Sequence, residues 1–239
     1  MSVGITRRSA MLVGWSLILA TAATAQGPRQ PKVAPGPSEP DWVVVLSERY
    51  GLSMFDDLLN PLTTTAAETR GLFRKAGPGP VSYTPVIALG LPSRTRGGWY
   101  RSAAAESPRK TGLWTYTFKN TTADLKQETN LPPPLESGSS VRFDPGDQPF
   151  GVWVANDGLP DGGVFSEPNV VARVNARLAA QPYKAMIYPN HDKATGKKIA
   201  NSYIIGWEYS TNDDFQDVVC RLDNVILIDA AGKPGEAKP

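Results

Sequence analysis

The sequence predicts a mainly β protein: an antiparallel β-sandwich or jelly-roll-like fold with one or two short helices. Glycine and proline each occur 22 times in 239 residues, which is more typical of a chain rich in turns than of one rich in long helices. The apolar runs are short, several of them alternate with a period of two, and clusters of turn-forming residues separate them. We expect a single folded domain over residues 41–229, which is long enough for one good hydrophobic core.

Residues 1–25 have the pattern of a secretory signal peptide. Arg7 and Arg8 precede the apolar stretch Met11–Ala20, which is too short to span a bilayer, and Ala23–Ala25 offers an A-x-A cleavage site. The twin arginine fits export by either the Sec or the Tat route. We therefore expect a secreted, periplasmic or cell-surface protein of bacterial type, with no transmembrane segment after the leader is cleaved.

Two further segments are expected to be disordered. Residues 26–40 are rich in proline and almost free of apolar side chains, so they predict an extended linker. Residues 230–239 predict a disordered tail.

In the first half of the folded region, β-branched runs and period-two alternation predict strands, and apolar spacing of three to four predicts one short helix. Pro85 should place its strand at an edge or a bulge. In chain order we expect a strand at Trp42–Leu46, a helix within Tyr50–Leu62 carrying Phe55, Leu58 and Leu59, a strand at Tyr83–Leu89, a glycine-rich turn at Arg94–Gly98, a strand with an aromatic face at Leu113–Phe118, and a loop at Leu131–Ser140.

The second half predicts more strands and ends in a long hairpin. Its turns are marked by Asp, Asn, Gly and Pro clusters. In chain order we expect strands at Val141–Phe143 and Phe150–Ala155, a short helix within Asn169–Ala180, a strand at Lys184–Tyr188, a polar loop at Asn190–Lys198, and strands at Ser202–Tyr209 and Asp217–Ile228 joined as a hairpin.

Residues 141–228 resemble a known family. The resemblance lies in Phe150–Trp153, Val164–Asn169, Met186–Pro189, Asn201–Glu208 and Asp213–Val219. These segments are similar to the bacterial extracellular domain called domain of unknown function 4114. The resemblance implies a secreted β-sandwich module of a kind often found at the C terminus of surface proteins. The chain departs from that pattern beside Glu208, where many relatives carry a second acid.

Four carboxylates of the last hairpin are the candidate metal ligands: Glu208, Asp213, Asp214 and Asp217. A hairpin brings Glu208 and Asp217 together as cross-strand neighbours, and like charges so placed need a cation, a proton or water between them. Calcium suits such oxygen ligands and tolerates loose geometry, so calcium is the cofactor we expect. A catalytic carboxylate pair, as in glycoside hydrolysis, and a simply solvated turn are the alternatives.

Trp99 and Tyr100 are the candidate ligand-binding residues. They follow a basic, glycine-rich segment, and exposed aromatic rings can stack on sugars while nearby arginines bind hydroxyl groups. Ordinary packing is the alternative for both rings. The basic side chains nearby predict either a solvated loop or a contact with a polyanion; they are Arg94, Arg96, Arg101, Arg109 and Lys110.

Charge and composition exclude several classes of protein. A formal net charge of +2 argues against a protein that holds nucleic acid by bulk charge. With one cysteine and one histidine, the chain has no internal disulfide and no His/Cys zinc site of its own. We expect Cys220 to be a small buried apolar residue and His191 to lie exposed in a turn.

These observations predict an exported, non-catalytic β-sandwich protein that binds a cell-envelope or extracellular ligand, either a polysaccharide or a protein, with calcium as a stabilising ion. A structural envelope protein without a small ligand and a carboxylate-dependent hydrolase are the alternatives.

Overall fold

The computed structural model describes Met1 and residues 40–54, 71–101, 107–117, 131–159, 163–212 and 214–228. The predicted signal peptide beyond Met1, the linker up to residue 39, the predicted helical residues 55–62 and the C-terminal tail lie outside the described residues. So does Asp213.

The described residues form two sheets with antiparallel strand pairing, which confirms the predicted β-sandwich. Sheet A runs in the order β1-β9-β10-β11-β3-β6, and sheet B runs in the order β12-β2-β7-β4-β5, with the short β8 also paired to β7. The strands are β1 Leu52–Ser53, β2 Leu72–Lys75, β3 Val81–Ala88, β4 Arg94–Arg101, β5 Lys110–Thr117, β6 Arg142–Phe143, β7 Phe150–Asn156, β8 Val164–Phe165, β9 Ala185–Asp192, β10 Lys198–Trp207, β11 Val218–Asp223 and β12 Val225–Ile228.

The main core lies between the sheets and is rich in aromatic residues. Phe73 of sheet B packs against Phe150 of the same sheet and against Tyr203 of sheet A, with ring centroids 6.1 Å apart in both pairs. Trp114 and Tyr116, the predicted aromatic face of β5, are buried and stacked at 5.9 Å. Trp207 of β10 is also buried, as its strand pattern predicts.

The predicted strand at Trp42–Leu46 is wrong, because this segment is the first turn and a half of helix α1, Trp42–Tyr50. The Asp41 side chain caps the helix by accepting a hydrogen bond from the Val43 amide, and Gly51 ends it with φ +62°. Trp42, Val45 and Leu46 share one face at helical spacing and are buried in a second apolar cluster on the outer side of sheet A. Burial of that face outweighs the β preference of the valines.

The predicted strand Asp217–Ile228 is two strands that belong to different sheets. Asn224 lies between β11 and β12 with φ +63°, and its side-chain amide donates to backbone carbonyls of residues 77–80. An asparagine tolerates this left-handed conformation, so the chain bends here and crosses from sheet A to sheet B.

The bulge predicted at Pro85 is confirmed. Cys220 pairs with Pro85 and Val219 pairs with Ile87, so Val86 is the extra residue on β3. A bulge accommodates a residue that has no amide hydrogen to donate.

Two helical segments lie in the predicted range 169–180. Helix α2 spans Pro168–Val174, and a short 3-10 helix follows at Ala176–Leu178. The predicted polar loop Asn190–Lys198 is shorter than expected, because β9 continues to Asp192 and β10 starts at Lys198. None of the helices in the described part of the chain is long and apolar enough to cross a membrane.

Candidate functional site

The outer face of sheet B carries an open groove of about 480 Å³. Its floor comes from β4, β5 and β7, whose adjacent positions bring together side chains that are far apart in the sequence. Its wall is the segment Glu136–Ser139 of the predicted loop Leu131–Ser140. The residues that line the groove are Arg94, Arg96, Lys110, Gly112, Leu113, Trp114, Thr115, Glu136, Ser137, Gly138, Ser139, Trp153 and Ala155.

Backbone hydrogen bonds fix the wall to the outer edge of β5, which is the last strand of sheet B among the described residues. The amide of Glu136 donates to the carbonyl of Thr115 at 2.8 Å, and the amide of Ser140 donates to the carbonyl of Leu113 at 2.8 Å. These bonds satisfy part of the exposed edge of the sheet and hold the wall in place.

Glycines shape the floor of the groove. The predicted turn at Arg94–Gly98 is wrong, since these residues belong to strand β4. A Cβ on Gly98 would come within 2.0 Å of the Thr111 carbonyl oxygen on β5 and within 2.9 Å of Nε1 of Trp153, so the absence of a side chain lets both the neighbouring strand and that indole lie close to β4. On the neighbouring strand, a Cβ on Gly112 would meet nothing within 4 Å, so the space above it is open.

Two arginines on β4 form ion pairs at the rim. Residues 94 and 96 point to the same face of the strand, because side chains alternate. Arg94 binds Glu136 through Nε and a terminal nitrogen, the latter at 2.7 Å, and Arg96 binds Asp157. Both arginine side chains remain about half exposed, at 52% for Arg94 and 48% for Arg96. Glu136 is further held by the hydroxyl of Thr117 at 3.0 Å, and Arg94 lowers the pKa of the Glu136 carboxyl.

Lys110 lies on the aromatic part of the floor. Its ammonium nitrogen is 5.0 Å from the ring centroid of Trp153 and 5.9 Å from that of Phe165, within cation–π range. Partial burial, followed by the positive charge of Arg96, lowers the pKa of Lys110. The groove therefore concentrates positive charge above an aromatic surface.

The predicted ligand-binding residues Trp99 and Tyr100 lie on opposite faces of β4. Trp99 is partly buried and points between the sheets, where it stacks on Phe143 at 5.4 Å. Tyr100 is fully buried on the outer face beneath Phe165, and its ring occupies the space where Gly151 would carry a Cβ. The burial of Tyr100 agrees with the alternative of ordinary packing, because the glycine of β7 leaves room for its ring. Neither ring is among the residues that line the groove.

The second candidate site is the acidic hairpin between β10 and β11. Glu208 and Asp217 are neighbours across the hairpin, as predicted: the Asp217 amide donates to the carbonyl of Trp207 at 3.1 Å. Glu208 is fully buried, and each of its carboxylate oxygens accepts a backbone hydrogen bond, Oε1 from Ser210 at 2.6 Å and Oε2 from Asp214 at 3.0 Å. Oδ2 of Asp217 accepts from the Tyr209 amide at 2.6 Å. These carboxylates organise the turn.

A buried lysine supplies positive charge to the same hairpin. Lys184 is 1% exposed, and its ammonium group donates to the carbonyl of Ser210 at 2.8 Å. The amide of Glu208 in turn donates to the carbonyl of Lys184 at 3.1 Å. Lys184 is not identifiable as part of this site from the sequence, because it lies far from the hairpin along the chain. Its only signal is a lysine at the start of an apolar run.

Burial raises the pKa of Glu208 to about 8, with further increases from the charges of Asp217 and Asp214 and a decrease from Lys184. A small cavity of about 250 Å³ beside the turn is lined by Asp214, Asp217 and Gln216, among others. No group of three or more His, Cys, Asp or Glu side chains suited to a metal ion occurs among the described residues, of which Asp213 is not one. The calcium ion stays a prediction.

Cys220 and His191 are both buried in strands of sheet A. Cys220 is fully buried, as predicted, and burial raises the pKa of its thiol. His191, predicted to be exposed, is 5% exposed within β9, and its Nδ1 lies 3.1 Å from the carbonyl oxygen of Pro189. The prediction failed because β9 extends beyond the Pro189–Asn190 pair, which resembles a turn in the sequence.

Comparison of the chain with protein-family models, with curated proteins and with solved structures gives no match. The resemblance of residues 141–228 to domain of unknown function 4114 therefore stays a prediction.

Proposed function

We propose that this chain is an exported, non-catalytic β-sandwich protein that binds a polysaccharide of the cell envelope or extracellular space in the groove on sheet B. The observation that carries the proposal is the open space above Gly112, between an aromatic floor and a wall whose Glu136 is bound to Arg94 of the floor. A volume of about 480 Å³ lies within the range of small-molecule and saccharide sites. The leader pattern of residues 1–25 supports the extracellular location.

Gly112 lies at a β-bulge of β5, because Gly97 pairs with Trp114 and Gly98 with Gly112, so that Leu113 is the extra residue; the bulge itself does not require a glycine at residue 112. A glycine inside a strand costs about 0.5–1 kcal/mol relative to alanine, since it loses more conformational freedom on folding. Its backbone is not in the left-handed region, and no neighbouring atom would obstruct a Cβ. The missing side chain keeps the groove open, and room for a ligand would explain a glycine at this position.

The geometry supports hydrolysis less well. A glycosidase needs two carboxyl groups that flank the bond to be cleaved, one of them free to give or take a proton. At the acidic hairpin Glu208 is fully buried and both of its oxygens accept backbone amides. In the groove, the lining carboxylate of Glu136 is bound to Arg94 and has a lowered pKa, which suits an anion rather than a general acid.

The test is a glycan-binding screen with the purified protein and two variants of β5. Gly112→Val should abolish binding of any glycan held in the groove, since its methyl groups would occupy the open space. Thr111→Val, on the same strand but outside the groove, is the matched control and should bind like the wild type. Thermal unfolding of both variants should show that they remain folded. If no glycan binds, or if Gly112→Val binds as well as Thr111→Val, the proposal is wrong and a structural envelope role is favoured.

A further inference from the structure

The cations of the groove form a line along its floor. Arg94 and Arg96 lie two residues apart on one face of β4, which places their Cα atoms about 7 Å apart. Lys110 continues the line on β5, where it pairs with Tyr100 of β4. The lining of the groove contains three cations and one carboxylate, Glu136, and a second carboxylate, Asp157, pairs with Arg96 at the rim, so one positive charge is in excess.

A ligand can replace or join the carboxylates that now bind the two arginines. The pairs Arg94–Glu136 and Arg96–Asp157 are both at the surface, where ion pairs contribute little to stability. A guanidinium group carries five N–H donors, and the bonds of Arg94 to Glu136 use Nε and one terminal nitrogen. The other terminal nitrogen can bind a second acceptor without breaking the ion pair.

The charges also repel one another. Arg96 is close enough to Lys110 to disfavour the charged form of the lysine, in addition to the effect of partial burial. A negative group between them would relieve this repulsion and would meet donors that are already in place. A neutral ligand would leave the repulsion unchanged.

The floor between the cations is suited to a sugar ring. Gly112 leaves it open, and Leu113 and Ala155 add apolar surface on either side. The hydroxyl group of Ser137 stands on the wall and can bind a sugar hydroxyl, whereas the hydroxyl of Ser139 is bonded to the backbone of Thr115 and holds the wall against β5. An extended acidic peptide would also bind the cations. However, a broad, flat floor matches the face of a sugar ring better than it matches the side chains of a peptide.

We propose, on the basis of the polysaccharide-binding function above, that the ligand of the groove is an acidic polysaccharide whose carboxylate or sulfate groups bind Arg94 and Arg96. Charged hydrogen bonds of guanidinium with carboxylate or sulfate are stronger than those with neutral hydroxyls. Affinity for such a ligand should therefore fall as salt concentration rises.

The experiment compares four probes by calorimetry: polygalacturonate, dextran sulfate, neutral dextran and poly-glutamate. We expect the protein to bind polygalacturonate or dextran sulfate at least tenfold more tightly than dextran and poly-glutamate. The first two probes distinguish carboxylate from sulfate recognition. The double variant Arg94→Gln/Arg96→Gln should lose at least tenfold in affinity for the acidic glycan and should lose most of its salt dependence.

The control is Arg142→Gln, which removes one exposed arginine from β6 of the other sheet. It should bind like the wild type. If dextran binds as tightly as the acidic glycans and Gly112→Val abolishes that binding, the groove binds polysaccharide but the acidic ligand is wrong. If poly-glutamate binds best, the ligand is a protein. If no probe is affected by Gly112→Val, both this inference and the proposed function fail.

Discussion

The buried carboxyl of Glu208 predicts an unusual dependence of stability on pH. Burial raises its pKa from 4.5 to about 8, so the folded chain holds this proton more tightly than the unfolded chain does. The free energy of unfolding should therefore fall as the pH rises from about 4.5 to about 8, and should then level off. At about 1.4 kcal/mol for each pKa unit, the fall is about 5 kcal/mol at most.

The charged groups that face Glu208 set the size of this effect. Asp217 and Asp214 favour the protonated form, and the ammonium of Lys184 favours the ionised form. The carboxylates with lowered pKa in exposed ion pairs and turns act in a different range, since their stabilisation is lost only as the pH falls below about 4.5; they are Glu136, Asp144 and Asp192.

Substitution Glu208→Gln isolates the contribution of this carboxyl. The amide keeps the shape but offers one oxygen instead of two, so one of the two backbone donors, Ser210 or Asp214, loses its acceptor. At pH 5 the variant should be less stable than the wild type by about 1–3 kcal/mol. At pH 8 the difference should shrink or change sign, because only the wild type loses its proton.

The assay is urea denaturation of both proteins at several pH values between 5 and 8, with tryptophan fluorescence as the measure of unfolding. The two proteins differ only at residue 208, so the difference between the two curves reports Glu208. Parallel curves over this range would refute the reasoning. They would mean that Lys184 keeps Glu208 ionised in the folded protein.

Two further predictions concern glycine and calcium. Gly97→Ala places a Cβ 2.0 Å from Cζ2 of Trp114 and should destabilise the fold by roughly 1–3 kcal/mol, whereas Gly112→Ala meets nothing within 4 Å and should be neutral or slightly stabilising; equal losses in urea denaturation would contradict the packing described. Calcium at about 5 mM, compared with EDTA, should leave the thermal unfolding midpoint nearly unchanged, because Lys184 already supplies positive charge to the hairpin. A rise of several degrees that is lost in Asp214→Asn would instead establish the calcium site predicted from the sequence.

The strands were predictable where one face of the segment is buried and the alternation is clear, as in β5 and β7. Helix α1 was not, because its valines favour a strand when they are considered alone. The better signals were Asp41 at the N-cap and Gly51 nine residues after Trp42, which together mark the two ends of a short helix. The apolar spacing of Trp42, Val45 and Leu46 agrees with them.

The acidic hairpin was predictable from its sequence because its parts are close together along the chain. Glu208 and Asp217 are joined by one turn, so period-two strands on either side are enough to place them together. The counter-charge was not predictable, since Lys184 reaches the hairpin only through the pairing of β9 with β10. A buried lysine beside buried carboxylates is a tertiary feature that no local pattern reveals.

The groove was not predictable from the sequence either, because it also depends on residues that are far apart along the chain. Its ion pairs join residues 42 and 61 positions apart, Arg94 with Glu136 and Arg96 with Asp157, and they meet only because the sheet order is β7-β4-β5. The glycines of β4 resemble a turn until it is known that Trp114 packs against Gly97 on one face and Trp153 against Gly98 on the other. A pair of glycines inside an aromatic-rich strand therefore indicates rings lying flat on both sides of a sheet. One of those rings closes the core, and the other forms the floor on which a ligand can rest.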